Sequence, residues 1–154
     1  MPLKCELCTS ATDSVETLWF SELCRVVLVT DPDYPGFCRV ILNSHVLEMT
    51  DLPVSSRTKL MDVVFAVESA IRNVVRPDKI NVASLGNRTP HLHWHVIPRW
   101  RTDRHFPNSV WSEPARAKSE VAAPTDLRQR LMTAIADQLA TSHNATTSER
   151  LRGC

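Results

Sequence analysis

Glycine is scarce in this chain: three in 154 residues, at positions 36, 86 and 153. Neither a phosphate-cradling P-loop nor a Gly-x-Gly-x-x-Gly dinucleotide turn can be built from them. Long apolar runs are also missing, and none approaches the roughly 20 residues that a membrane helix needs. The N-terminal stretch Met1-Pro2-Leu3-Lys4-Cys5 has no apolar segment of the signal-peptide kind. A charge excess is lacking too, since 18 basic and 17 acidic residues leave a formal net charge of +1. No broad field draws the protein to nucleic acid or to an anionic membrane, so a charged ligand must be held locally. Five cysteines, an odd number, make no disulfide framework. The expectation is a soluble cytoplasmic protein with no nucleic-acid or membrane partner.

What is present is concentrated in one place. Residues 91 to 97 read His-Leu-His-Trp-His-Val-Ile, three of the six histidines at alternate positions in an otherwise apolar run. On a strand, Leu92, Trp94 and Val96 bury on one side while His91, His93 and His95 line the other, roughly 6.5–7 Å apart. Imidazoles in such a row point to catalysis or to metal binding, with His-x-His zinc ligation the main rival reading. Trp94, by the same alternation, belongs to the core.

The rest of the chain alternates short strands with two helices. Residues 16–20 and 25–29 read as a hairpin through Ser21-Glu22-Leu23, and Asp31-Pro32-Asp33-Tyr34-Pro35-Gly36 is a dense turn signal before a third strand over 37–42. Leu60, Val63, Val64, Val67, Ile71, Val74 and Val75 form one helical stripe, capped by Ser55 or Ser56 and ended by Pro77. A strand over 80–85 and the turn Gly86-Asn87-Arg88-Thr89-Pro90 lead into the histidines. Residues 101–124 have no period and read as an irregular arm packing through Phe106 and Trp111. Leu127, Leu131, Ala134, Ile135 and Leu139 mark a second helix, started by Thr125 or Asp126, and the last dozen residues read as frayed. His105 and His143 read as solvated. This order predicts an α+β fold with a mainly antiparallel sheet, one long helix packed on it and a C-terminal helix. With 43% hydrophobic residues, the chain is long enough for a single domain with a proper core, in which Cys24 and Cys38 are small core residues.

The run His91-Leu92-His93-Trp94-His95-Val96-Ile97 resembles the His-φ-His-φ-His-φ-φ signature of the histidine triad family, φ being apolar. Gly86-Asn87-Arg88-Thr89-Pro90 stands where the family has a Gly-Gln-[Ser/Thr]-Val-x turn, and Val40-Ile41-Leu42-Asn43-Ser44-His45 is similar to its Val-Ile-Pro-Lys-x-His segment. Leu42-Asn43 and Arg88 depart from those patterns. On this resemblance residues 1–100 are the triad core and 101–154 an arm and helix of the same domain. Pro98-Arg99 after the triad looks more like the dinucleoside polyphosphate hydrolase side than the phosphoramidase side.

The resemblance implies hydrolysis or nucleotidyl transfer at an α-phosphate, on a nucleotide or dinucleotide substrate, through a covalent intermediate on the middle histidine, His93. His91 and His95 are then its catalytic neighbours, donating to phosphate oxygens. Asp31, Asn81, Asn87, Arg88 and His45 are the expected substrate contacts; on their own chemistry Asp31 and Asn87 are also ordinary turn residues. No cofactor is required for the chemistry. The family's Cys-x-x-Cys pattern maps to Cys5, Cys8, His45 and His91, a Cys2His2 set of the kind that holds structural zinc. A homodimer is the family's usual assembly. The alternative function is a zinc-stabilised nucleotide-binding protein with little turnover.

Overall fold

The computed structural model describes residues 5–9 and 16–151, with side chains through residue 141. A short helix α1 (Glu6–Thr9) precedes the hairpin of β1 (Thr17–Phe20) and β2 (Cys24–Leu28). Ser21 closes that hairpin: its hydroxyl accepts from the N–H of Leu23 and Cys24 at 3.3 and 3.2 Å. The chain then passes through the 31–36 turn, where Gly36 takes φ +94° with Val75 only 3.4 Å from where a Cβ would sit. A side chain there would be strained by the positive φ, though its Cβ would meet Val75 in ordinary contact. Strand β3 (Cys38–Leu42), a 3-10 turn (Met49–Asp51), α2 (Val54–Val75), β4 (Lys79–Ala83), β5 (His93–Arg99) and α3 (Leu127–Leu151) follow.

All pairings are antiparallel and the strand order is β1-β2-β3-β5-β4. Strand β5 is thus inserted between β3 and β4 and becomes a central strand, which is why it can be apolar on one face and still carry polar groups in a closed site on the other. Val26, Val40, Cys38 and Val96 face Leu60, Val64, Val67 and Ile71 of α2, and Leu131, Ile135 and Leu139 of α3 complete that core. Each fully buried Leu, Ile or Val here contributes about 1.5–3 kcal/mol relative to exposure. A smaller cluster of Tyr34, Phe37 and Ile97 lies on the opposite face, with Val29 and Val110 packed against it. The sheet therefore has helices on one side and, on the other, the histidine row beneath the 101–124 arm.

Several expected boundaries move. Neither Ser55 nor Ser56 caps α2; Pro53 occupies the N-cap and has no side-chain acceptor to offer, while Arg57 of the first turn donates back to the carbonyls of Leu52 and Thr50 at 2.8 and 3.1 Å. The helix ends as expected before Pro77, with Arg76 in the left-handed region at φ 48°. The fourth strand stops at Ala83, short of Leu85. Helix α3 continues to Leu151, beyond the last apolar repeat at Leu139 and into the stretch expected to fray, and residues 152–154 lie outside the described residues.

Candidate active site and metal cluster

Register places the chemistry. Across the sheet Val27, Arg39, His95 and Ala83 form one row, and Arg25, Ile41 and His93 form the next, all on the face away from α2. His93 and His95 are 7% and 6% exposed, with ring centroids 4.8 Å apart and planes nearly perpendicular. The Nδ1–H of His93 donates to the backbone carbonyl of His91 at 2.6 Å. A neutral imidazole protonated on Nδ1 carries its lone pair on Nε2, so the free nitrogen is the one able to attack. His95 packs between Phe37, at 5.8 Å, and Trp111, at 5.0 Å between centroids, and its Nδ1 is buried with no hydrogen-bond partner among the described residues. Burial, then the neighbouring His93 and Arg39, push its pKa from 6.5 to about 4. His95 is therefore neutral near pH 7 and acts as a dipole rather than a charge.

His91 leaves the row. Strand β5 begins at His93, and although Leu92 still bonds to Val46 and Leu42, the His91 ring turns toward the N-terminal segment. Its Nε2–H donates to the Leu42 carbonyl at 2.7 Å, leaving Nδ1 at 3.4 Å from the Sγ of both Cys5 and Cys8. His45 Nδ1 is 3.3 Å from Cys8 Sγ, and the four donor atoms lie within 4.8 Å of one another. Bond lengths to zinc of about 2.0–2.1 Å for nitrogen and 2.3 Å for sulfur put tetrahedral N···S edges at roughly 3.5 Å. The donor set thus fits a structural metal by chemistry and by spacing, and the Leu42 carbonyl is the outer partner that fixes which His91 nitrogen faces it. Arg25 fastens α1 over this corner by donating to the Leu7 carbonyl and to Asn43 Oδ1.

The other expected contacts divide. Asp31 Oδ1 accepts from the Asp33 N–H at 2.9 Å, which is turn chemistry. Asn81 Oδ1 accepts from Arg99 at 2.7 Å. Asn87 and Arg88 are exposed in the turn before the histidines. Trp94 packs against the main core as its alternation requires.

His105 differs from expectation: its ring stacks with Tyr34 at 6.0 Å between centroids and its Nδ1 meets the Tyr34 hydroxyl, so it is pinned rather than solvated. The side chain of His143 lies outside the described residues.

Sequence reasoning missed Asp103. Fully buried, it accepts from Arg99 at 2.8 and 3.1 Å and from the N–H groups of Trp100, His105 and Phe106 at 3.1, 2.9 and 2.7 Å. Burial opposes its charge, but Arg99 and the His105 and Trp100 amides outweigh it and hold the carboxyl below its ordinary range. The arm is therefore anchored by an ion pair at its root, not by its aromatics alone. Arg99 and Asp103, four residues apart, were the only signal.

Comparison with known proteins agrees with this architecture. The family model of the HIT domain matches residues 13–102, more than half of the chain, and the protein belongs to that family. Among curated proteins it is similar to an AP-4-A phosphorylase of Mycobacterium tuberculosis, 34% identical over 91 residues, covering 55% of this chain and 47% of the relative. It is also similar to an asymmetrical bis(5'-nucleosyl)-tetraphosphatase of Schizosaccharomyces pombe, 30% identical over 97 residues and covering 60% and 53%. The chain spans about half the length of these relatives. Of solved structures, a histidine triad protein from Bradyrhizobium japonicum superposes with a TM-score of 0.63 at 26% identity, over 80% of this chain and 90% of the other. A zinc-bound histidine triad family protein from Mycobacterium smegmatis shares the fold with a TM-score of 0.56 at 22% identity, over 82% and 86%.

Proposed function

We propose that the protein is a nucleotide hydrolase or nucleotidyl transferase acting on dinucleoside polyphosphates in the cytoplasm. The observation that carries this reading is the His93 hydrogen bond to the His91 carbonyl, which occupies Nδ1 and leaves Nε2 as the nitrogen open to substrate in a nearly closed site. Nε2 attacks the α-phosphorus, the phosphorus–oxygen bond to the leaving phosphate breaks, and a nucleotidyl-histidine forms. Water, or a phosphate in a phosphorylase-type reaction like that named for the mycobacterial relative, then attacks the same phosphorus and restores the imidazole. His95 orients and donates to phosphate oxygens. Asn87 and Arg88, exposed in the turn before the histidines, are available to ribose and phosphate, and His45 belongs to the metal corner more than to the substrate. Asp31 and Asn81 keep their intramolecular partners and act by shaping the site.

Cys5, Cys8, His45 and His91 hold a structural zinc in this reading, supported by the donor spacing and by the zinc-bound fold relative. The metal would supply folding energy; His91 is then withheld from substrate, and His93 and His95 stay free. A homodimer is supported by β4, an edge strand with Val82 and the following Leu85 exposed, and is checked by sedimentation.

The test is covalency. Protein mixed with a dinucleoside tetraphosphate labelled at the α-phosphate and quenched in base is expected to carry label on His93 by mass spectrometry, the bond being labile in acid. His93→Ala removes label and turnover while retaining nucleotide binding. Turnover without label, dependent on added metal, overturns the mechanism in favour of metal-activated water; nucleotide binding without turnover favours a binding protein.

A further inference from the structure

Three arginines lie on the histidine face of the sheet: Arg25, Arg39 and Arg99. Two are consumed inside the protein. Arg25 donates to the Leu7 carbonyl and Asn43, and Arg99 to Asp103, Asn81 and the Asn108 carbonyl. Arg39 is different. It stands directly across from His95 in the β3–β5 register, with its guanidinium carbon 5.9 Å from the centre of the Phe37 ring. Its Nε is buried with no hydrogen-bond partner among the described residues, and so is the adjacent Nδ1 of His95. Glu16, the acidic group whose field reaches Arg39, is exposed and forms no ion pair with it, the two ion pairs among the described residues being Arg99–Asp103 and Arg104–Asp33.

Two neighbouring buried polar groups without partners are costly, at about 1–3 kcal/mol each, unless a ligand satisfies them. The ligand they suit is an anion with several acceptor oxygens, because a guanidinium has only donors and matches phosphate in a forked geometry. The His91 ring is turned away into the Cys5–Cys8 corner, which leaves Arg39 as the permanently charged group beside His95. Arg39 supplies the missing charge. Its place opposite His95 rather than His93 displaces it along the strands by roughly 6.5–7 Å from the attacking nitrogen's row, so it addresses a phosphate other than the one attacked. Trp111, 54% exposed and edge-on to His95, closes the same corner from the arm.

We infer that Arg39, with His95 Nδ1, forms a subsite for a non-reacting phosphate of the substrate's polyphosphate chain, and so selects polyphosphate substrates over those with uncharged leaving groups. This rests on the reading of His93 as the phosphate-attacking residue, and the experiment separates the two. Inorganic tripolyphosphate is titrated calorimetrically into the full chain, and turnover is measured on a dinucleoside tetraphosphate and on a nucleoside phosphoramidate with a neutral amine leaving group.

Arg39→Gln is expected to weaken tripolyphosphate binding and raise KM for the tetraphosphate about 10- to 100-fold, with a smaller effect on kcat. The phosphoramidate is expected to change less than about 3-fold, at most the low end of the loss of one neutral hydrogen bond. Arg39→Lys, which keeps the charge, restores part of the loss and controls for folding. Tripolyphosphate binding that depends on Arg39, without turnover of either substrate, sustains the subsite and overturns the catalytic reading. Undetectable binding to the unmutated chain, equal losses on both substrates, or a loss that follows the base rather than the number of phosphates overturns the subsite.

Discussion

The carbonyl oxygen of His91 receives the Nδ1–H of His93 at 2.6 Å, while the His91 ring itself is turned between the thiols of Cys5 and Cys8. One residue thus serves two sites, its backbone fixing a tautomer and its side chain closing a metal cluster.

Purified without chelator, the protein is expected to contain close to one zinc per chain. Cys5→Ser combined with Cys8→Ser is expected to abolish that metal, as read by atomic emission, and to lower the thermal midpoint, because ligation energy is folding energy at a structural site. An unmutated protein free of zinc would end this idea.

Stability is expected to fall as pH drops from 6.5 to about 4, through His95. Its folded pKa is depressed from 6.5 to about 4, so between those values the unfolded chain binds more protons and acid favours unfolding. Above pH 6.5 the contribution is fully present. Urea denaturation of His95→Gln is expected to show a flatter profile across that window than the unmutated protein, and identical slopes would contradict the shift.

Asp103→Ala leaves Arg99 buried without its carboxylate and three backbone N–H donors without their acceptor. A loss of about 3–5 kcal/mol in denaturant unfolding is expected, the cost of breaking a buried ion pair. Limited proteolysis is expected to cut the 101–124 arm first; a loss under about 1 kcal/mol would mean the pair is not what holds the arm.

Arg88→Ala, at an exposed turn, is expected to leave stability within about 0.5 kcal/mol. If Arg88 grips phosphate, nucleotide affinity falls by about 1.5–3 kcal/mol and nucleoside affinity does not. Equal effects on both, in isothermal titration, point to a purely structural turn.

The strands, the α2 stripe and the shared face of His93 and His95 were legible because each obeys a simple period, two for strands and 3.6 for helices. The cysteines and His45 were legible only through family resemblance, since nothing local brings Cys8 to a histidine 37 residues away. Asp103 was not legible, because an aspartate in an aperiodic segment looks like a turn residue until the chain has folded Arg99 and three amides around it. Asn81 reads from the sequence as a substrate contact because it is an amide near the triad; that Arg99 donates to its oxygen appears only once the strands are paired. Arg39 carried a signal that was not used, a lone charge in the run Phe37-Cys38-Arg39-Val40-Ile41 where a buried strand otherwise tolerates none.

The arm's ties include Asp103 with Arg99, Arg104 with Asp33 and Ser119 donating its N–H back to Asp33, while Ala115 and Arg116 bond to the carbonyls of the arm's own Arg104, Asp103 and Phe106. Residues 111–118 between those ties are exposed. Such a loop behaves as an interchangeable cassette. Substitutions near its tip alter the surface beside His95 without touching the sheet or the helices, so relatives of this chain can vary there while the row of His93 and His95 is kept.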